Sequence, residues 1–411
     1  MIKYKQSTNL DSLSSSVLDE YVDYLKQRKD QQSFDALEDF IFHPEHSQEF
    51  DKIQNKVANI RGNGFDFIIF VGIGGANLGV KTVYDALKPE KEILFFENID
   101  PEINFELLNS VKTRYSRGEK AVLVIASKSG NTTETMANFA KVFTFFQEIE
   151  VDWKERSFVT TTEDSTLEKI AITLEIEIIN TPVMLVDRYS VFGIGSLFAL
   201  TLAGIDTRSL VRGAMESNEY LLSSNSPAVK MAQYVYSLAE KGLNIHNTFI
   251  FSGKLETLGR WQRQLMAESL GKDGKGITPI YSIGTTDLHS MTQLYLDGPK
   301  NVSTNFITVE NFPNDMVSDE KNILEGTPIN KISNKTFGEL LYIVSNAVKT
   351  AYDKQNLPYT ETILPTLDAY TLGELMQSIM LLIVFLGKLM GVNPFDQEAV
   401  ELYKKEIANL L

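Results

Sequence analysis

Residues 119–139 read EKAVLVIASKSGNTTETMANF, and this stretch decides the fold. Ala121 to Ala126 is a short apolar run rich in β-branched residues, the pattern of a buried parallel strand. Ser127, Lys128, Ser129, Gly130, Asn131, Thr132 and Thr133 follow without a break, and Glu134, Met136, Phe139 and Ala140 then begin a helical period. A strand ending in a hydroxyl-rich turn that opens a helix presents free backbone N–H groups toward one point, and helix N-termini of that kind bind phosphate. Ser and Thr also cap helices routinely. One or two hydroxyls suffice for a cap, whereas this turn has five hydroxyl residues counting Thr135, and the surplus points to an anion.

Upstream, Phe65 to Val71 is an apolar strand, and Gly72-Ile73-Gly74-Gly75-Ala76-Asn77-Leu78-Gly79 leads from it into a helix through Val83 and Leu87. Ile93 to Phe96, Phe158 to Thr161 and Ile176 to Ile179 are further strand-like runs with helical stretches between them. A second alternating block has strands at Asn247 to Ser252, Thr278 to Ile283, Thr304 to Val309 and Tyr359 to Leu364. Its helical patterns lie around Leu255 to Ser269, Leu340 to Tyr352 and Leu372 to Met390. Alternation of this kind predicts right-handed βαβ crossovers and an α/β fold of two doubly wound parallel sheets. Such sheets bind ligands at the carboxyl ends of their strands, where both the glycine turn and the Ser/Thr turn fall. The expected division is a helical N-terminal extension over 1–60, α/β domains over 61–207 and 226–394, and a C-terminal helix over 395–411. In the first of these, Val17, Leu18, Tyr21, Tyr24 and Leu25 recur at helical spacing.

The chain has 411 residues, enough for two sizeable cores, and a net charge of −15. No basic stripe exists to neutralise a nucleic-acid backbone, so no nucleic-acid partner is expected. There are no cysteines, which excludes disulfides and thiolate chemistry. The start, MIKYKQSTNLDSLSSS, has no apolar core of signal-peptide length. Ser378 to Gly387, the most apolar segment, is too short to span a bilayer and reads as a buried helix. The expectation is a cytoplasmic protein with no membrane partner.

A dinucleotide site is the obvious rival for the glycine turn. Gly72 and Gly74 fit G-x-G-x-x-G, but the sixth position is Asn77, and Glu97 is only loosely placed for a ribose contact. The glycines instead allow backbone to approach a small ligand closely. His43 and His46 flank Pro44, which breaks a regular helix face, and no third metal ligand is nearby. Arg188, in Val186-Asp187-Arg188-Tyr189-Ser190, lies between a strand and a helix from about Phe192. Arginine in such a place is either a surface charge or a ligand contact. Gln264 and Glu268 share one helix face, with Leu265 and Met266 toward the core and Gly271 as the stop. A lone helix glutamate is usually solvated, but one at a helix end under a sheet edge is a candidate general base. His289 follows a strand and the turn Gly284-Thr285-Thr286, and Phe395 to Lys404 is an amphipathic start to a final helix.

Taken together, these stretches resemble the phosphoglucose isomerase family over roughly residues 60–405. Most diagnostic is Gln264-x-x-x-Glu268-Ser269-x-Gly271-Lys272, followed by Gly284-Thr285, His289-Ser290 and Gln293. Phe395-Asp396-Gln397, Val400-Glu401 and Lys404 match the C-terminal signature, Ser127-Lys128-Ser129 through Thr132 and Thr135 the phosphate loop, and Arg188-Tyr189-Ser190 the signature arginine. The departures are Ala76 where many members have serine, Gly130-Asn131 in the phosphate loop, Asp187 where glycine is usual, and Glu398-Ala399 in place of Trp-Gly. The chain's length resembles compact bacterial forms.

The resemblance implies two sugar isomerase domains and interconversion of glucose 6-phosphate and fructose 6-phosphate, with no metal or organic cofactor. It implies that Ser127, Lys128, Ser129, Thr132 and Thr135 hold the phosphate and that Gly75 lines the substrate site. It further implies that His289 with Lys404 opens the ring, that Glu268 moves a proton between C2 and C1, and that Arg188 stabilises the developing charge. Gln264 and Gln397 would orient hydroxyls. A homodimer is implied, with His289 supplied by the neighbouring subunit. A sugar-phosphate sensor that dispenses with the base, and an isomerase also active on mannose 6-phosphate, are the alternatives.

Overall fold

The structure is a computed structural model that describes residues 1–7, 16–31, 34–42, 48–151, 153–319, 321, 323 and 325–411. Among the described residues ten strands run in chain order: β1 (Lys3–Gln6), β2 (Phe67–Val71), β3 (Glu92–Phe96), β4 (Ala121–Ala126), β5 (Ser157–Thr161), β6 (Glu177–Asn180), β7 (Ile245–Ile250), β8 (Thr278–Ile283), β9 (Val302–Asn311) and β10 (Tyr359–Thr366). The backbone divides into two compact units, Leu25–Met215 and Met1–Tyr24 with Glu216–Leu411.

In the unit Leu25–Met215 the order is β3-β2-β4-β5-β6, with every pair parallel. The three inner strands are buried at every residue, which is why FIIFV and AVLVIA carry no polar alternation. The edge strands open with exposed Glu92 and Glu177. After β2 the chain moves outward to β3 and then returns across β2 to β4. The strand order therefore reverses between β2 and β4, the place where open α/β sheets bind their ligands.

The other unit repeats that winding in the order β8-β7-β9-β10, all parallel, and adds β1 antiparallel to β10. Its core helix, Ala369–Met390, is buried at every position from Thr371 to Gly387. This is the one helix among the described residues long and apolar enough to cross a membrane. Length alone therefore does not exclude a span, as the shorter run Ser378–Gly387 suggested. Packing inside the unit accounts for its apolar character, with 89% of its most apolar window buried. Its buried carboxylate, Glu374, accepts from Ile2 N at 2.7 Å and from the Tyr220 hydroxyl at 2.6 Å.

Three expectations change. The N-terminal 60 residues are not all helical: Lys3–Gln6 is the edge strand β1, held by the backbone of β10 and by the Glu374 contact. In the helix Ser16–Gln31, Leu18, Tyr21 and Leu25 are buried, but Val17 and Tyr24 face solvent. Helix Thr207–Leu221 occupies most of the expected linker at 208–226, and the units change over inside it. His43 and His46 lie outside the described residues.

Candidate active site

The hydroxyl turn after β4 is shaped by its neighbours rather than by a helix cap. Thr132 is the N-cap of helix Thr133–Glu148, yet its side chain makes no capping hydrogen bond. Ser127 is buried and its Oγ accepts from Gly130 N at 3.0 Å, while Ser129 Oγ accepts from Asn131 N at 3.2 Å. Carbonyls of the turn are engaged by the neighbouring strand end: Ser127 O accepts from Thr161 Oγ1 at 2.7 Å, and Lys128 O from Thr162 Oγ1 at 2.9 Å. Ser129 O accepts from Thr166 N at 3.1 Å. With its acceptors engaged, the turn leaves donors at a helix N-terminus, the electrostatics an oxyanion needs. Gly130 has φ +71°, and a Cβ there would overlap the backbone of Leu167 and lie 2.6 Å from its Cβ. Only glycine fits, so the Gly130-Asn131 departure is a backbone requirement of this turn.

The glycine turn after β2 lies beside it, because a Cβ on Gly72 would come within 3.0 Å of Ala126 O. Gly75 packs against the arginine-bearing turn: a Cβ on it would lie 2.6 Å from Arg188 N. Arg188 is 2% exposed, on a short helical turn Asp187–Phe192, with its guanidinium 5.7 Å from the Tyr189 ring. Its burial removes the surface-charge reading. Lys128 Nζ donates to Leu185 O at 3.1 Å, and burial pulls its pKa below the ordinary lysine range, against an opposing pull from Asp187. Glu97 accepts a hydrogen bond from the Asn77 side chain, which accounts for that acid without a ribose.

In the other unit, Gln264 Nε2 donates to Glu268 Oε1 at 3.0 Å on helix Glu256–Leu270. Gln264 Oε1 is buried with no protein donor. Lys272 pairs with Asp396 at 2.6 Å and also donates to Asn393 O, which fixes the segment carrying Gln397 against the end of this helix. The final helix begins only at Val400, so Phe395 to Ala399 is loop. On that helix, which buries no residue, Lys404 Nζ is held by Glu401 Oε1 at 2.7 Å.

Topology separates two of the expected residues. Helix Glu256–Leu270 runs back from the carboxyl end of β7 toward the start of β8, so Glu268 lies near the amino end of β8. His289 is exposed on the turn Thr286–His289, past the carboxyl end of that strand. At roughly 3.3 Å per residue, six-residue β8 alone spans about 17–20 Å. Asp287 anchors the histidine turn by accepting from Ile283 N at 2.6 Å and from Ser290 Oγ at 2.8 Å. That anchor and the Thr161/Thr162 brace escaped the sequence reading. The readable signals were an Asp two residues before the histidine, and a Thr run at a strand's carboxyl end.

The fold aligns with a hypothetical protein from Thermus thermophilus at a TM-score of 0.84 and 26% identity, covering 96% of this chain and 94% of that one. A glucose-6-phosphate isomerase from Chlamydia trachomatis aligns at a TM-score of 0.83 and 20% identity, covering 100% and 88%. The architecture is thus the α/β sugar isomerase fold. In sequence, the chain is 32% identical over 381 residues to the glucose-6-phosphate isomerase of Mycoplasmopsis synoviae (strain 53), covering 89% of this chain and 87% of that protein. It is 33% identical over 383 residues to that of Rubrobacter xylanophilus, with the same coverage. Residues 53–411 match the family described as phosphoglucose isomerase, and the chain belongs to that family.

Proposed function

We propose that this chain interconverts glucose 6-phosphate and fructose 6-phosphate. The turn from Ser127 to Thr135 holds the phosphate through hydroxyls and backbone N–H groups. His289, assisted by Lys404, opens the ring by moving a proton from the C1 hydroxyl to the ring oxygen. Glu268 takes the proton from C2, the C–H electrons pass into a C1–C2 double bond as the C1 carbonyl π pair moves onto O1, and a cis-enediolate forms. Return of that proton to C1, with the hydroxyl proton passing from O2 to O1, leaves the carbonyl at C2. Arg188 offsets the enediolate charge, as preorganised cations do in a dry site. Gln264 and Gln397 orient sugar hydroxyls.

The observation that carries this reading is the clamped carboxylate. Glu268 is half-buried, one of its oxygens is fixed by the Gln264 amide, and the buried Gln264 Oε1 awaits a hydroxyl donor. A base needs this kind of placement before its pKa matters. The length of β8 between Glu268 and His289 supports a homodimer in which each chain supplies His289 to its neighbour. The burial of helix Ala369–Met390 supports a protein that works without entering a membrane. The test is a coupled assay offering glucose 6-phosphate and mannose 6-phosphate side by side. Turnover of the first is expected; binding without turnover would overturn the isomerase reading in favour of a sensor.

A further inference from the structure

Beside the phosphate turn, the carboxyl end of β5 carries buried hydroxyls that the isomerase reading leaves unused. Thr161, the last residue of β5, is fully buried, and Ser165 is nearly so. Thr161 Oγ1 donates to Ser127 O at 2.7 Å, has Lys128 O at 3.1 Å, and lies 2.8 Å from Ser165 Oγ. A hydroxyl has one proton and two lone pairs. Thr161 directs its proton into the turn, so Ser165 is the donor in the contact between the two hydroxyls. Ser165 Oγ accepts in turn from Glu168 N at 2.9 Å, as the N-cap of helix Thr166–Leu174. The protons therefore all point one way, from the helix to Ser165, to Thr161 and into the carbonyls of the phosphate turn.

We propose that Thr161 and Ser165 are positioning residues for phosphate binding: they form a hydroxyl relay that aims the N–H groups of Lys128 and Ser129 at the phosphate. This rests on the isomerase reading above. Those two N–H groups have no acceptor among the described residues, whereas the next two, of Gly130 and Asn131, donate to Ser127 Oγ and Ser129 Oγ. The Ser127 carbonyl shares a peptide unit with Lys128 N–H, and the Lys128 carbonyl shares one with Ser129 N–H. In a planar trans unit the N–H points opposite to the C=O, so fixing the oxygen fixes the direction of the donor. Accepting a hydrogen bond also polarises the unit and strengthens its N–H. Lys128 O has a second donor in Thr162 Oγ1 at 2.9 Å, so the Ser127 unit depends more on Thr161.

The experiment is titration calorimetry with inorganic phosphate and with 6-phosphogluconate, an unreactive sugar-acid phosphate, alongside the melting temperature of the free protein. Thr161→Val keeps the shape and removes the proton. It should weaken both ligands by the same factor, about tenfold, the scale of one lost hydrogen bond. Thr161→Ser should restore affinity for both. Ser165→Ala should weaken both by about threefold. Adding it to Thr161→Val should cost no further affinity, although loss of the helix cap lowers the melting temperature in either background. Unchanged affinity in Thr161→Val despite a lower melting temperature, no recovery in Thr161→Ser, or a full extra loss in the double variant would overturn the proposal. Should Thr161→Val fail to fold, Ser165→Ala decides alone, and unchanged affinity there overturns the relay. Binding is read without turnover, so a chain that fails the isomerase assay still decides this point. A wild type that binds neither ligand would overturn the phosphate turn itself and the relay with it.

Discussion

Gln264 Nε2 lies 3.0 Å from Glu268 Oε1, one helical turn away, so the carboxylate is oriented by its own helix. Glu268→Gln keeps the size and the hydrogen-bonding tip while removing the proton acceptor. Losing a general base costs about 10²–10⁴-fold in rate, or roughly 3–5 kcal/mol of barrier. Turnover and exchange of the C2 hydrogen in heavy water should fall in parallel, with 6-phosphogluconate still bound. Exchange near the wild-type rate would mean that another residue is the base.

The separation of Glu268 and His289 along β8 leads to a mixing experiment. His289→Ala and Glu268→Gln proteins, each inactive, should regenerate activity after subunit exchange, because one composite site per mixed dimer has both residues intact. The recovered rate should approach a quarter of the wild-type value per chain, on the order of statistical mixing with one sound site in two. A fully active monomer at assay concentration would sink the shared-site arrangement.

Gly130→Ala tests the phosphate turn. Positive φ combined with a steric block at Leu167 leaves the turn no conformation in which a methyl group fits. Strain of this type costs roughly 1–3 kcal/mol, expressed as displacement of the turn or as lost stability. KM for fructose 6-phosphate should rise at least about tenfold, the affinity equivalent of roughly 1.4 kcal/mol, with kcat less affected. Unchanged KM and melting temperature would remove the turn from the site.

His246 on β7 makes stability depend on acid. Burial lowers its pKa to about 4 from 6.5, its Nδ1 lies 2.9 Å from Ser303 Oγ, and its buried Nε2 has no protein partner. As pH falls below 6.5 the unfolded chain takes up a proton that the folded chain refuses until about pH 4. Stability is therefore complete above the ordinary value and is lost on acidification through that window, by up to about 3 kcal/mol. Urea unfolding of wild type and His246→Gln across this range should show the variant with a flatter dependence. Identical slopes would place the acid sensitivity elsewhere.

Much of the fold was legible because inner strands such as Ala121–Ala126 are unbroken apolar runs that begin and end where the sequence pattern does. β1 was not legible. KYKQ has no apolar face, and its lysines suit an edge that must discourage further pairing. Its strand character comes from β10, more than 350 positions away, and no local pattern reports a partner at that range. The candidate site divides similarly. Ser127, Arg188, Glu268 and His289 were readable as types at fixed spacing, whereas the Lys128–Leu185 hydrogen bond and the Lys272–Asp396 pair exist only once distant loops meet.

Strand β1 also sets an order of events during synthesis. Lys3 pairs with Ile363 and Ile2 N reaches Glu374, so residues made early must wait for residues made far later before they have a partner. Leu25–Met215 is contiguous and complete long before then. The nascent chain thus carries one finished unit while the segment ahead of it trails unpaired, exposed to proteases and to mispairing until β10 emerges. A bulky fusion placed just before Ile2 would burden that last step, whereas a tag beyond the exposed helix Val400–Leu410 would leave it alone.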